Sequence, residues 1–591
     1  MIETSSFPIA RRHGAGWLRP ARILIAAATL AACGAPAVTP APAPSTVAPS
    51  APSAAVRAQH GIVVSANRMA SEIGARVLRS GGNAVDAAIA TGFALAVVHP
   101  TAGNIGGGGF MVIRWADGRT TAIDFREKAP AAANPRMFLD ANGEYSSQIH
   151  HNSHRSVGVP GTVAGFEYAH AKYGSTDWDA LVAPAVRLAR DGFLVSDNLS
   201  RSLRAGLRGM ARYPASVAAF SKGGQPYEPG ETIRQGDLAR TLDRIRQQGR
   251  DGFYSGETAR LIAAEMRRGG GLITEGDLAA YQPKERVPVH GTFRGYDVIS
   301  MPPPSSGGVA LIEMLNILEG YDLKAMGHDS APYIHHLVEA MRRAFRDRAQ
   351  YLADPDFAEL PLEKLTGKAY AAELRRGIDE GHATPSTTAD VVQSYESPET
   401  THFSVVDANG TAVSVTYTLE QGYGSKIVVP GGGFLLNNEM GDFNAGPGVT
   451  TESGLIGTEP NLARPGQRML SSMTPSIIAK DGELVGVVGS PGGRTIINTV
   501  LQVVLNVTEF GMDIQQAVDA PRLHHQWLPD RVAIETDGAS PEVVAALEAM
   551  GHNVRVGGRQ GSAHSILIDA RTGERLGAAD PRDRDAGAVG Y

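Results

Sequence analysis

The stretch HFSVVDANGTAVSVTYTL, residues 402–419, leaves little freedom in how it folds. Two arms rich in β-branched residues flank Asn409-Gly410, a dipeptide suited to a tight hairpin turn. In the second arm Val413, Val415, Tyr417 and Leu419 alternate with small or hydroxylated residues, the period of a strand with one apolar face. Folding about that turn returns Thr418 to within about one residue of Thr400, roughly a strand spacing away. Two hydroxyls are therefore expected to meet at the open end of the hairpin. The preceding residues, PSTTADVVQSYESPE, lack clear periodicity and read as an exposed loop. A threonine hydroxyl is a poor nucleophile without a base, and a chain broken at the Glu399–Thr400 bond supplies one in the new α-amine of Thr400. Taken alone, the hairpin favours a Thr-Thr pair that only decorates a sheet.

A second stretch, ELVGVVGSPGGRTIINTVLQVVLNV, reads as a strand, a glycine-rich loop and a helix. Backbone amides at Gly492 and Gly493, close to a helix N-terminus, can be aimed at a developing negative charge. Phosphate is the competing ligand. Neither this loop nor GNIGGGGF, however, carries the Gly-Lys-Ser/Thr ending of a P-loop or the G-x-G-x-x-G spacing of a dinucleotide site. The tetraglycine run 106–109 reads as a place of tight backbone packing.

Elsewhere strand-like and helix-like segments alternate. In GGNAVDAAIATGFALAVVHP, Asn83 is placed to cap a buried helix ended by Pro100. GFMVIRWADGRTTAIDFRE reads as a hairpin turning at Asp117-Gly118, with Arg126 just beyond the returning strand. Residues 160–390 are richer in helical pattern and the last third returns to strands, so the chain is mixed α/β or α+β. A formal net charge of -6 over 591 residues offers no basic face to a phosphate backbone, and nucleic acid is not an expected partner. His150, His151 and His154 lack carboxylate or cysteine partners at ligand spacing, so IHHNSHRS is expected to be a solvated polar loop and not a metal site. His335-His336 and His524-His525 read as packing or surface residues. His402 faces away from Thr401 in a strand and is assigned no chemistry.

At the N-terminus, Arg11, Arg12, Arg19 and Arg22 precede an apolar run from Ile23 to Ala32 that is too short to span a bilayer. Leu30-Ala31-Ala32-Cys33 resembles a bacterial lipobox and contains the chain's one cysteine, which leaves no disulfide to form. The expectation is a signal peptide over 1–32, lipidation of Cys33 and an extended Pro/Ala/Ser-rich tether over 33–56. The protein is accordingly expected to be exported and periplasmic, touching a membrane only through that lipid.

Several blocks in one order, GGNAVDAA, GNIGGGGFM, IDFREKAP, VPGTVAGF, TTHFSVVDANGTAVSVTYTLEQGYG, LLNNEMGDF, LSSMTPSI, GSPGG and ADPRDRDAGAVGY, resemble the γ-glutamyltranspeptidase family, also called glutathione hydrolases. The resemblance runs from about residue 57 to the C-terminus. It implies an α+β fold, the four-layer αββα sandwich of N-terminal-nucleophile hydrolases, made as a proenzyme. Cleavage before Thr400 would give a large subunit, 57–399, and a small catalytic subunit, 400–591, which stay together. The implied substrates are glutathione and other γ-glutamyl compounds, attacked to form an acyl-enzyme that water, an amino acid or a peptide resolves, with no metal or organic cofactor. By the same resemblance Thr400 is the nucleophile, Thr418 its hydrogen-bonding partner, and Gly492 and Gly493 the oxyanion-hole glycines. Arg126, assisted by Ser471 and Ser472, would grip the substrate α-carboxylate, while Glu439 and Asp442 receive the α-ammonium at the opposite end of the pocket. Glu420 joins the substrate-binding residues where many members have an asparagine contacting the α-carboxylate. A carboxylate repels a carboxylate, so its part is expected to be indirect. No tyrosine occurs in NAGPGVTTESGLIGTEPNLARPGQ, where some bacterial members close the pocket with an aromatic lid. A glutaryl-cephalosporin acylase or a poly-γ-glutamate depolymerase of the same fold is the second reading. A non-catalytic lipoprotein that binds peptides is the third.

Overall fold

The computed structural model describes residues 54–387, 400–449, 451 and 457–591. Cys33, the leader, nearly all of the tether and Glu399 lie outside the described residues. Seven antiparallel strands form one sheet, in the spatial order Gly587–Gly590, Ile62–Ser65, Thr401–Val406, Ala412–Thr418, Gly108–Arg114, Thr120–Phe125 and Lys284–Arg286. A second antiparallel sheet runs Val56–Ala58, Arg575–Ala578, Ser565–Ile568, Glu483–Val488, Ser476–Lys480, Tyr296–Ser300 and Val289–Phe293.

The period-two pattern explains how these sheets stack. Val63, Met111, Ile113, Phe403, Val405 and Val413 share one core with the helix Ala84–Val98. Their neighbours Ile62, Val64, Phe110, Val112 and Ala412 join another core, built with Ile477, Val487 and Ile566 of the second sheet and with the helices Gly307–Leu318, Ala331–Tyr351 and Thr495–Thr508. The sheets thus pack face to face with helices outside each, the expected four-layer αββα sandwich. Burying each such side chain contributes about 1.5–3 kcal/mol. A one-residue slip of the strand Thr401–Val406 would forfeit several of these at once, so its register is fixed.

Asn83 caps the helix Ala84–Val98 through a reciprocal box with Asp86, and every residue of that helix is buried. Both hairpins turn where the dipeptides place them, with one residue more than a two-residue loop. Asp407 N–H donates to the Thr411 carbonyl at 3.0 Å, leaving Ala408–Gly410 as the loop with Gly410 at φ 85°. Trp115 and Arg119 close Ala116–Gly118 in the same way, with Gly118 at φ 88°. A final residue in the left-handed region is what glycine tolerates best.

One expectation fails outright: His150, His151 and His154 are buried, not solvated. The His150 ring packs 3.9 Å from the Phe138 ring, and His154 Nε2 lies 2.8 Å from Glu265 Oε1. Those partners are supplied by distant segments, which no local spacing rule can register. His335, His336, His524 and His525 are packing residues, all buried.

Candidate active site

The hairpin builds one wall of a cleft. Thr401 pairs with Tyr417, so continuing the register puts Thr400 opposite Thr418 on the face turned toward the second sheet. Thr400 Oγ1 donates to Thr418 Oγ1 at 3.4 Å, and Thr418 Oγ1 accepts the Glu420 N–H at 2.9 Å. Behind Thr418 the tetraglycine run lies backbone against backbone: a Cβ on Gly107 would run into the Thr418 carbonyl. Asn104 Nδ2 donates to that same carbonyl at 2.9 Å.

Thr400, Thr418, Arg126, Glu439, Asp442, Ser471, Ser472, Glu420 and Gly493 all line one cleft. Gly492 stands one residue behind Gly493, outside the lining. Both glycines precede the helix Thr495–Thr508, and Gly492 and Gly493 carbonyls accept the Thr495 and Ile496 N–H groups at 3.1 Å each. Ser471 Oγ accepts the Met473 N–H at 3.1 Å, and Ser472 Oγ accepts from Arg348 Nη2 at 3.0 Å.

Arg126 follows the strand Thr120–Phe125 into the interior and is fully buried. Its Nη1 donates to Glu439 Oε1 and its Nη2 to Asp442 Oδ2, both acids being presented by the single turn Glu439–Asp442. Nη2 also donates to the Leu470 carbonyl at 3.1 Å, and Nε to that of Met469 at 3.3 Å. The two signs of charge, expected at opposite ends of the pocket, therefore stand in contact. A buried guanidinium without a counter-ion is far too costly, and the two nearest acids supply one.

This cluster is crowded with acid. Glu127 lies 3.7 Å from Arg126 Nη1, and neither of its oxygens has a hydrogen-bond partner among the described residues. Burial, opposed by Arg126, pushes the Glu127 carboxyl up to about 8. Burial likewise raises Glu439, against Arg126 and with help from the charges of Glu127 and Glu420. For Arg126 itself burial works against the charge, and Glu439, Asp442 and Glu127 outweigh it and raise the guanidinium. One cation faces several carboxyls, so a second cation entering the cleft would be welcomed.

Glu420, at φ 78°, turns its carboxylate into the cleft. Asn438 Nδ2 donates to Glu420 Oε2, and His151 Nδ1 lies 3.7 Å from Glu420 Oε1. Sequence reasoning missed Glu127, Asn438 and His151. The first two adjoin Arg126 and Glu439 in the quoted blocks, a signal available in principle, whereas His151 lies far from every block that lines the cleft.

The gamma-glutamyltranspeptidase family model matches residues 70–590. The chain is 49% identical over 539 residues to the glutathione hydrolase proenzyme of Escherichia coli (strain K12), covering 91% of this chain and 93% of that protein. It is 38% identical over 526 residues to the acylase ACY 1 proenzyme of Pseudomonas sp. (strain SE83), covering 88% and 91%. Among solved structures, the cephalosporin acylase from Bacillus halodurans superposes with a TM-score of 0.81 at 28% identity, over 93% of this chain and 99% of that one. The Helicobacter pylori gamma-glutamyltranspeptidase does so with a TM-score of 0.54 at 45% identity, over 57% and 95%. With a family model matching residues 70–590 and a relative near half identical along nine-tenths of its length, this chain is an enzyme of the gamma-glutamyltranspeptidase family.

Proposed function

We propose that the protein is made as a proenzyme that cuts itself between Glu399 and Thr400 and then hydrolyses or transfers γ-glutamyl groups from glutathione and related amides. The freed α-amine of Thr400 takes the proton of its own hydroxyl as Oγ1 attacks the γ-carbonyl. Amides of the Gly492-Gly493 loop stabilise the oxyanion, and the amine then protonates the departing nitrogen as the C–N bond breaks. Water, an amino acid or a peptide resolves the acyl-threonine. Thr418 holds the nucleophile in line. In its exported form the protein comprises the large subunit 57–399, still joined to the tether 33–56, and the small subunit 400–591, with the lipid of Cys33 as its tie to a membrane.

The observation carrying this reading is the Arg126 cluster beside the Thr400–Thr418 pair. A γ-glutamyl head group brings one carboxylate and one ammonium, so Arg126 and the acids around it can re-pair through the substrate, Arg126 with the carboxylate and Glu439, Asp442 and Glu420 with the ammonium. A glutaryl group brings a carboxylate alone, which would displace acids from Arg126 and give them nothing in return. The likeness to acylases keeps that second activity in view, but the excess of acid favours the ammonium-bearing donor. The test is intact mass of purified protein beside Thr400→Ala, followed by turnover of γ-glutamyl-p-nitroanilide. Two fragments for the wild type, one for the variant and release of nitroaniline are expected. A smaller fragment beginning elsewhere, or an uncut chain of full activity, overturns the reading.

A further inference from the structure

The Glu420 carboxylate is hydrogen-bonded on one side and faced on the other by an imidazole that stands beyond hydrogen-bond distance. Asn438 donates to Oε2, and the imidazole of His151 faces Oε1 at 3.7 Å, with both residues buried. His151 ends the short helix Ser147–His151, and its ring lies 4.3 Å from that of His150, which in turn packs on Phe138. His150 is itself anchored by Tyr145 Oη at 3.1 Å and the Met440 carbonyl at 3.2 Å. The imidazole reaches Glu420 across Gly441: a Cβ there would run into His151 Nδ1 and Cε1. The absence of a side chain at 441 is thus what allows the contact.

We propose, building on the γ-glutamyl reading above, that His151 is a positioning residue for substrate selection, fixing the Glu420 carboxylate where it meets the α-ammonium of the donor. Three acids, Glu420, Glu439 and Asp442, line the cleft, and Arg126 already engages the latter two. Glu420 has Asn438 and His151 instead, so its direction depends on them. Without the imidazole, Oε1 is free to swing away from the cleft, and the charge that reads the ammonium is lost while Thr400, Thr418 and Arg126 stay in place.

The experiment compares γ-glutamyl-p-nitroanilide with glutaryl-p-nitroanilide, which keeps the carboxylate and lacks the α-amine, on wild type, His151→Phe, His151→Gln and His151→Leu. His151→Phe keeps a ring and removes the nitrogens; His151→Leu removes both the ring and the nitrogens while leaving the turn Glu439–Asp442 untouched. Both are expected to raise KM for the γ-glutamyl donor about tenfold with kcat within about twofold, and to leave the glutaryl donor within about twofold, so that the preference ratio collapses. His151→Gln, with a donor in reach of Oε1, is expected to recover much of the ratio. Equal losses on both donors, or an unchanged ratio in a folded variant, overturn the proposal; should His151→Phe fail to fold, His151→Leu and His151→Gln decide. A failure of the underlying reading shows separately, in a wild type with no preference for the γ-glutamyl donor, and would take this inference with it.

Discussion

Thr400 Oγ1 donates a hydrogen bond to Thr418 Oγ1 across the mouth of the hairpin at 3.4 Å. The same Thr418 oxygen accepts the Glu420 amide, so it ties the nucleophile to a residue that lines the cleft. Thr418→Val keeps the shape of the side chain and deletes the oxygen. Losing one buried hydrogen-bond acceptor costs about 1–3 kcal/mol, which translates to about 5- to 150-fold in kcat if the bond is made in the transition state. Thr418→Ser is expected to stay within about threefold of wild type, because the oxygen remains. Initial rates on γ-glutamyl-p-nitroanilide measure both, and equal rates for Val and Ser would remove Thr418 from the mechanism.

His402, one residue past Thr401, turns in between the sheets, where Nδ1 lies 2.9 Å from Thr416 Oγ1 and Nε2 3.0 Å from Ser404 Oγ. Its ring lies directly against Gly489, the first residue of the glycine loop, and a Cβ there would collide with it. Gly489→Ala therefore either displaces the imidazole or lifts the loop that ends in Gly493. Overpacking of this kind destabilises by about 1–3 kcal/mol. In urea titrations the double variant Gly489→Ala with His402→Ala is expected to lose less than the sum of the two single losses. Strict additivity would mean the two residues do not press on each other.

How far the sequence reaches can be read from these same residues. The alternation in 402–419 places Thr400 opposite Thr418 because strand pairing is local: the two arms are joined by a single turn. The buried helix after Asn83 and the strand-loop-helix around Gly492 are legible for the same reason, each being a contiguous pattern with its own stop signals. What stayed hidden is long-range. Arg126 meets Glu439 across 313 positions of sequence, and the turn Glu439–Asp442 is seated by Met440 and Phe443 packing on Ala129, Phe138 and Met469, contacts that no local pattern announces. His150 and His151 read as solvated because no local pattern shows Phe138 packing on the first or Glu420 facing the second. Residue types were legible; the directions in which buried charges point were not.

Buried histidines set an acid limit on stability. Burial lowers His524, His525 and His564 from the ordinary 6.5 to about 4 each. A base with a depressed folded value contributes stability that is present above 6.5 and lost as pH falls toward 4, because the unfolded chain takes up the proton first. A shift of this size is worth up to about 3 kcal/mol per residue. His564→Gln removes one such group, so the stability of the wild type relative to this variant is expected to fall by up to about 3 kcal/mol between about pH 7 and about pH 4. Denaturant titrations of both proteins across that range provide the check, and a difference independent of pH would show that His564 titrates alike in both states.

Glu127 acts with the opposite sign. Its carboxyl is buried with no hydrogen-bond partner for either oxygen among the described residues, and burial pushes it to about 8 from the ordinary 4.5, against the pull of Arg126. An acid raised in the folded state contributes stability that is fully present below 4.5 and is lost as pH rises through about 8, where the folded chain must give up its proton into an acid-crowded interior. Glu127→Gln keeps the neutral shape and cannot ionise. The variant is expected to match the pH dependence of the wild type only at the acid end and to gain on it progressively, reaching an advantage on the order of a few kcal/mol above about pH 8. Its γ-glutamyl turnover at alkaline pH should rise relative to wild type as well, since an ionised Glu127 adds one more negative charge beside Arg126 and competes with the substrate carboxylate for it. Paired melts at about pH 5 and about pH 9 decide the matter, and a constant gap between the two proteins would mean that Glu127 is already ionised across the whole range, with Arg126 alone sufficient to hold it so.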